Sequence, residues 1–454
     1  MSQINITNLI DRGRLSRFQI LVLVSCGVCM ALDGFDVQAM AYIAPALIKD
    51  WRLDKLALAP IFSGGLLGIM VGSMAFSVAA DRIGRRPVLI GGMLFLSLTT
   101  FATAKATSPD AMAILRFISG VAMGAVFPNA LALAGEYSPA RVKGMCVMMV
   151  SCGFVFGGAI GGFIAAALIP SFGWQSVFYV GAIAPLLMVV VLIFTLPESL
   201  QFLAANGKDT ARMKLTLHRV APELQLPSDA SILISEHSPA GLPVVSLFRD
   251  GFFLGTVLLW IANFMNLLCL YFLSNWLPVI MNEAGHTPSQ AVIAGAVFWL
   301  GGVLSNVLLG CTVDRVGFGR MLSFIFLAAV MAIAAIGQVP GSLLLVLVVS
   351  GIAGFCVLGG QSGLNALSPT YYPVAVRSTG TGWASGIGRF GSIFGPLLGG
   401  ELMRLHWSTA EFFQAATIPA LVASASMVLF WRYVKLARVD REPRGVTQEI
   451  LPST

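Results

Sequence analysis

The chain reads FQILVLVSCGVCMALDGFDVQAMAYIAPALI from residue 18 to residue 48, and its only charged side chains there are Asp33 and Asp36. A bilayer-spanning helix needs about 20 apolar residues, and this stretch is longer than that. A charged group near the middle of such a helix costs about 3 kcal/mol or more, so an acid there indicates a function. The spacing of three residues places both carboxylates on one helical face. The stretch therefore predicts a spanning helix with an acidic site at its middle.

The composition extends the membrane interpretation to the whole chain. Of the 454 residues, 57% are hydrophobic and only 11% are charged, whereas a soluble domain typically carries about 25% charged residues. The net charge of +7 would suit a nucleic-acid partner only if the basic residues formed a common patch. Their distribution indicates membrane topology instead.

Apolar runs between charged interruptions predict twelve membrane spans. Their predicted boundaries are 19–46, 57–80, 88–107, 110–135, 144–169, 174–196, 251–281, 289–313, 321–338, 342–368, 378–403 and 410–434. An even number of spans places both termini on the same side of the membrane. The chain is thus expected to be an all-α, multi-pass membrane protein.

The basic residues orient these spans. With cytoplasmic termini, that side receives Arg12, Arg14, Arg17, Arg82, Arg85, Arg86, Arg141, Lys143, Arg315, Arg320, Arg377 and the basic residues of the 197–250 segment and of the tail. The opposite side receives only Lys49, Arg52, Lys55, Lys105 and Arg404. This asymmetry follows the positive-inside rule, so the prediction is that both termini are cytoplasmic and that the partner is the lipid bilayer rather than a nucleic acid.

Cysteines and histidines offer no sign of metal or hydrolytic chemistry. The seven cysteines are odd in number, lie in or beside apolar segments and lack metal-ligand clustering. All four histidines fall in predicted loops or at span ends. We therefore expect no metal, no cofactor and no enzymatic activity, and no histidine relay for protons.

An internal repeat divides the chain into two similar halves. The stretch 77–86, SVAADRIGRR, recurs as 310–320, GCTVDRVGFGR, and Asn129-Ala-Leu recurs as Asn365-Ala-Leu. Two six-span bundles in the same orientation follow, with a site at their midplane interface. The predicted domains are an amino-terminal bundle, a polar cytoplasmic linker, a carboxy-terminal bundle and a cytoplasmic tail, at 1–196, 197–250, 251–434 and 435–454.

The loop motifs carry a family resemblance over essentially the whole chain. Asp81-Arg-Ile-Gly-Arg-Arg86 after span 2, Glu136-Tyr-Ser-Pro-Ala-Arg141 after span 4 and Pro197-Glu-Ser199 after span 6 resemble the major facilitator superfamily. Within it, Asp33-Gly-Phe-Asp36 is similar to the aromatic acid:proton symporters, bacterial carriers of benzoate, hydroxybenzoates and protocatechuate. The resemblance implies two pseudo-symmetric six-helix bundles in the bacterial inner membrane that import a small aromatic carboxylate with protons.

Depth along the spans relates the buried charges to one another. Asp36 lies about 15 Å and Arg116 about 9 Å below the outer ends of spans 1 and 4, at a rise of 1.5 Å per residue. Asp36 or Asp33 is therefore expected to pair with Arg116, and protonation of the acid would break the pair. Asp36 is the first choice for the titrating group, and a purely structural ion pair is the alternative.

Arg389 is the candidate anion site in the second half. It lies about 16 Å from the cytoplasmic face of span 11, and no acid occurs in the neighbouring sequence. A bidentate fork between arginine and a carboxylate would suit an organic acid.

Two further sets of residues complete the predicted site. Aromatic and amide groups that could hold the ring, although packing is the alternative for any single aromatic, are Phe35, Phe127, Asn263, Tyr271, Asn275, Trp276, Trp299, Gln361 and Asn365. A cytoplasmic gate between the halves is predicted from Asp81, Arg82, Arg85, Glu136, Arg141, Asp314 and Arg315.

The sequence thus predicts a monomeric, proton-coupled importer of a benzoate-type acid. The nearest alternatives are a sugar or polyol symporter, an organic-ion carrier and a drug-efflux antiporter within the same superfamily. A nutrient receptor built on a transporter scaffold is a more distant alternative, because only about twenty residues follow span 12.

Overall fold

Twelve long helices dominate the computed structural model, which describes residues 3–5, 15–206, 210–220, 231–233, 244–248, 252–339, 341–373 and 376–439. We number them α1 (Arg17–Trp51), α2 (Leu58–Ile83), α3 (Arg85–Thr103), α4 (Pro109–Glu136), α5 (Lys143–Phe172), α6 (Gln175–Thr195), α7 (Phe253–Glu283), α8 (Pro288–Val316), α9 (Phe318–Ile336), α10 (Leu343–Tyr371), α11 (Arg377–Arg404) and α12 (Thr409–Val439). Each coincides with one predicted span, so the twelve-helix prediction is confirmed.

Eleven of the twelve are long and apolar enough to cross a membrane by length and composition. The exception is α11, in which eight of the 28 residues are glycine and Arg389 lies near the middle. Its glycines lower its mean apolarity, while its outer face still carries exposed apolar side chains, with Trp383, Phe390 and Phe394 at 46%, 50% and 52% exposure.

Local sequence explains where several helices begin and end. Ser16 caps α1 in a reciprocal capping box with Gln19, and Ser108 caps α4 through the Ala111 N–H. Gly84 ends α2 at φ +101°, and a Cβ at that position would collide with the Glu198 carboxylate. These caps satisfy backbone groups that have no partner within the helix.

The segment between α6 and α7 is only partly described. It contains short helices at Leu200–Asn206 and Thr210–Val220 and a 3₁₀ turn at Val244–Phe248. A three-residue strand, β2 (Ser231–Leu233), pairs in parallel with β1 (Gln3–Asn5) near the amino terminus. This pair is a small addition to an otherwise helical architecture.

Glycines bring helices into backbone contact within each half. A Cβ at Gly34 would overlap the Phe154 carbonyl oxygen between α1 and α5, and one at Gly72 would overlap Val121 between α2 and α4. In the second half, Gly391 abuts the Phe264 carbonyl between α7 and α11, and Gly354 abuts Phe298 between α8 and α10. The same helix pairs are thus locked in both halves, as the repeat predicts.

Side chains, rather than glycine-mediated backbone contacts, make much of the boundary between the halves. At the end remote from the termini, Lys55 forms an ion pair with Glu283, and the Phe62 ring meets Trp276 edge-on at 5.6 Å. Nearby, the Ser63 hydroxyl donates to the Ile393 carbonyl at 3.1 Å. The molecule is therefore closed at this remote end.

The outer surface is apolar. Phe194 is 80% exposed and Phe324 71% exposed, whereas Trp276 and Trp299 are fully buried. Large apolar side chains on the outside and a polar site inside are what a lipid environment requires.

Candidate functional site

Asp36 and Arg116 form a buried ion pair at the middle of the first half. The Arg116 Nη1 donates to Asp36 Oδ2 at 2.9 Å, and its Nη2 donates to the Asp36 carbonyl oxygen at 2.9 Å. The Thr100 hydroxyl of α3 donates to the other carboxylate oxygen, also at 2.9 Å. Three helices thus hold a carboxylate with an exposure of 0% in one geometry. Of the two acids that the sequence left open, the structure pairs Asp36 with Arg116.

Asp33 lies one helical turn away in a different environment. It is 2% exposed, and its Oδ1 has no hydrogen-bond partner among the described residues. Arg389 of the second half is close enough to attract it electrostatically, and Asp36 is close enough to repel it. Asp33 is therefore the acid that interacts electrostatically with the second half.

Arg389 is a half-buried cation near the middle of α11. Within the described residues, no carboxylate comes within ion-pair distance of it. Its guanidinium carbon lies 5.9 Å from the centre of the Phe127 ring of α4, and its charge also reaches Tyr271. A guanidinium over an aromatic face, with no hydrogen-bond acceptor for its donors among the described residues, has the chemistry to bind a carboxylate.

Four amide side chains, which we call the amide cluster, connect α7 with α10. Gln361 Nε2 donates to Asn263 Oδ1 at 3.2 Å and to Asn365 Oδ1 at 3.1 Å. Asn266 Nδ2 donates to Gln361 Oε1 at 2.9 Å. Sequence reasoning selected the other three and missed Asn266, although its position three residues after Asn263 in an apolar span was a usable signal.

A small cavity lies between the first half and α7, next to the ion pair. Its walls include Val37, Met40, Arg116, Tyr271 and Asn275. Asn275 donates to the Tyr271 carbonyl at 2.7 Å, which turns its amide into the helix. Two of the predicted pocket residues thus line this cavity together with the arginine.

Three other predicted pocket aromatics occupy packed positions. The Phe35 ring rests against Gly161 and Gly181 inside the first half. Trp276 donates to the Pro396 carbonyl at 3.0 Å. Trp299 packs on Phe154, which in turn packs on Phe127, and its Nε1 has no partner.

The predicted gate residues lie at the ends of helices nearest the termini. Arg85 forms an ion pair with Glu136, and the Ser199 hydroxyl donates to Glu136 at 2.7 Å. Asp81, Arg82 and Arg141 are exposed, and the side chains of Asp314 and Arg315 lie outside the described residues. The ion pair between Arg85 and Glu136 and the hydrogen bond between Ser199 and Glu136 both lie within the first half.

Glu198 organises this group of residues. Its Oε1 accepts hydrogen bonds from the backbone N–H groups of Arg85, Arg86 and Ser199, at 2.8–3.1 Å. Its own carbonyl accepts the Tyr137 hydroxyl at 2.6 Å. One carboxylate thus fastens the α2–α3 turn to the end of α6.

Known proteins with similar sequences and structures agree with this architecture. The model of the Major Facilitator Superfamily matches residues 26–337 and again 259–452. The 4-hydroxybenzoate transporter PcaK of Pseudomonas putida is 37% identical over 94% of this chain and 95% of its own length.

Two other relatives and one solved structure extend the comparison. The gallate transporter of Pseudomonas putida is 34% identical, over 94% of both chains. The benzoate transport protein of Acinetobacter baylyi is 31% identical, over 94% of this chain and 92% of its own. The crystal structure of a D-xylose-proton symporter matches with a TM-score of 0.68 at 17% identity, over 91% of this chain and 97% of that one, which shows the shared fold. The chain therefore belongs to the Major Facilitator Superfamily.

Proposed function

We propose that the protein is a proton-coupled symporter that imports a small aromatic carboxylate across the bacterial inner membrane. The observation that carries this proposal is Arg389, a membrane-embedded guanidinium that lacks a described ion-pair partner and lies over the Phe127 ring. The relatives named above as 4-hydroxybenzoate, gallate and benzoate transporters support the same class of substrate.

In the proposed site, the substrate carboxylate binds Arg389 and its ring lies near Phe127 and Tyr271. A bidentate carboxylate satisfies two guanidinium donors, and an aromatic ring provides the matching apolar contact. Gln361, Asn263 and Asn365 offer amide groups on the facing helices. Sugars would leave Arg389 without a counter-ion, so the geometry favours an anion.

Proton coupling follows from Asp33 and Asp36 in this proposal. Without substrate, Asp33 and Arg389 attract each other electrostatically. A substrate carboxylate that docks on Arg389 meets the charge of Asp33, and a proton on Asp33 removes that repulsion. Asp36 and Arg116 hold the second switch, because a proton on Asp36 would release the guanidinium.

We propose that the termini face the cytoplasm and that the structure represents the inward-facing state. Closure by Lys55 and Glu283 then lies on the periplasmic side. The bundles 1–196 and 251–434 would rock as units in a monomer, with Asp81, Arg82, Arg85, Glu136, Arg141, Asp314 and Arg315 at the gate of the opposite end.

Uptake into proteoliposomes tests the proposal. An inward proton gradient should drive accumulation of labelled 4-hydroxybenzoate with alkalinisation outside, and an aliphatic sugar should not compete. Arg389→Gln should abolish binding and uptake, whereas Asp33→Asn should retain substrate exchange but lose gradient-driven accumulation. Unchanged accumulation in both variants would refute the assignment, and binding without transport in the unmodified protein would favour the receptor alternative.

A further inference from the structure

The amide cluster lies close to the α11 backbone that carries Arg389. Gly388, which precedes Arg389, is so close to α7 that a Cβ there would lie 3.5 Å from the Asn263 Cβ. Asn263 and Asn266 are 2% and 1% exposed, while Gln361 is half-buried and Asn365 is exposed. The cluster thus extends from the interior next to Arg389 toward the end of the molecule that carries the termini.

Within the amide cluster, an acceptor and a donor on α7 lack a hydrogen-bond partner among the described residues. Asn266 uses both N–H groups, on the Val357 carbonyl at 3.1 Å and on Gln361, but its Oδ1 has no partner among the described residues. Asn263 uses one N–H on the Leu259 carbonyl at 2.9 Å and has a second to give. Gln361 uses all its donors and holds both asparagines in place.

An open acceptor and an open donor therefore occur three residues apart on one helix. Side chains at this spacing are neighbours on a helical face. A hydroxyl group both donates one hydrogen bond and accepts others, so one hydroxyl placed between them would satisfy both. A polar group in an apolar span costs free energy when it lacks a hydrogen-bond partner, so a ligand hydroxyl that satisfies both groups would stabilise the complex.

We propose that Asn263 and Asn266 bind a ring hydroxyl of the substrate, with Gln361 as the positioning residue. The amide cluster thereby selects hydroxylated aromatic acids over unsubstituted benzoate. This inference rests on the proposed function, since it requires the carboxylate to be held at Arg389. Asn365, whose Nδ2 has no described partner, supplies a donor for a second ring oxygen on the open side.

The corresponding amide of the first half makes a different hydrogen bond. By the internal repeat, Asn365 corresponds to Asn129, whose Nδ2 donates to the Ala125 carbonyl of its own helix at 2.8 Å. Asn129 is thus an amide of matched depth and type that does not join the cluster.

The selectivity is measured as the ratio of the kcat/KM values for labelled 4-hydroxybenzoate and benzoate, which compete for uptake in a single preparation. Differences in the amount of folded protein between variants affect both values equally and do not change this ratio. The unmodified protein should prefer the hydroxylated acid. Asn266→Leu and Gln361→Met should each lower the preference about 5- to 10-fold, the effect of losing one neutral hydrogen bond. Asn365→Ala, which removes an exposed side chain, should lower the preference for a dihydroxylated acid more than that for 4-hydroxybenzoate.

The control is Asn129→Leu, which should change both rates together and leave the ratio within about twofold. Benzoate transport with an unchanged ratio in Asn266→Leu and Gln361→Met would overturn the inference, as would equal transport of both acids by the unmodified protein. The absence of uptake of any aromatic acid would instead refute the proposed function.

Discussion

Replacing Asp36 by asparagine should destabilise the protein because it strands the Arg116 guanidinium. Two unit charges 2.9 Å apart attract each other by about 6 kcal/mol at an effective dielectric constant of about 20. Desolvation of both groups offsets part of this attraction, and removal of one partner from a buried pair costs about 3–5 kcal/mol. In Asp36→Asn the amide oxygen can still accept from Arg116 and the amide NH2 can donate to the Thr100 hydroxyl, so the loss is that of the counter-charge.

A double-mutant cycle isolates the pair. Arg116→Met should also destabilise the protein, whereas the double variant Asp36→Asn/Arg116→Met should recover at least about 2 kcal/mol relative to the sum of the single changes. The measurement is unfolding by sodium dodecyl sulfate in mixed micelles, followed by circular dichroism. Asp36→Asn combined with the distant Lys55→Ala should be additive within about 0.5 kcal/mol. A coupling energy for Asp36 and Arg116 that is no larger than this control would refute the reasoning.

Two further predictions concern packing and closure. Gly34→Ala should lower the yield of folded protein, measured by size-exclusion chromatography, because the new Cβ would overlap the Phe154 carbonyl and overpacking costs about 3 kcal/mol or more. Gly27→Ala on the same helix meets nothing within 4 Å and should leave the yield unchanged. Equal yields of the two variants would contradict the contact between Gly34 and Phe154. Lys55→Ala should raise the maleimide labelling rate of a cysteine introduced at Ala59 by up to about fivefold, because a half-exposed ion pair contributes about 0.2–1 kcal/mol. Arg404→Ala breaks the ion pair with Glu401 within α11 at the same end and should not raise that rate. An equal rise in both variants would show that the ion pair between Lys55 and Glu283 does not hold this end closed.

The helices were predictable because their lengths and apolarity are local properties of the sequence. The stretch around Asp33 specified a spanning helix and placed both acids on one face. Even α11 was recognised, although eight glycines make it the least apolar of the twelve, because flanking loops bounded it.

The partners of the charged groups were less predictable, since they depend on how helices rotate about their axes. The depth of each residue in the membrane, estimated from the helical rise, allowed Arg116 to pair with either acid. The orientation of α1 about its own axis decides which acid it is: Asp36 bonds to Thr100, and Asp33 interacts electrostatically with Arg389 of the second half. The same rotation turns the Phe35 ring into the glycines of α5 and α6. For Asn266 the spacing of three residues from Asn263 was the available signal, whereas its hydrogen bond to Gln361 on another helix depends on tertiary packing.

Within a half, Gly34 and Gly391 meet a backbone carbonyl of the facing helix, whereas across the boundary Gly158 meets the Trp299 ring, and this difference has a mechanical consequence. At Gly34 and Gly391 the backbones of neighbouring helices are in direct contact, which leaves no compressible layer between them. Each bundle is therefore expected to move as a rigid body. At the seam between the halves, Phe62, Trp276 and Ser63 meet their partners through two rings and a hydroxyl, and such side chains can exchange neighbours. Movement between the halves is therefore easier than movement within them. In the proposed transport cycle, substitutions at this seam are therefore expected to change the rate at which the halves move relative to each other.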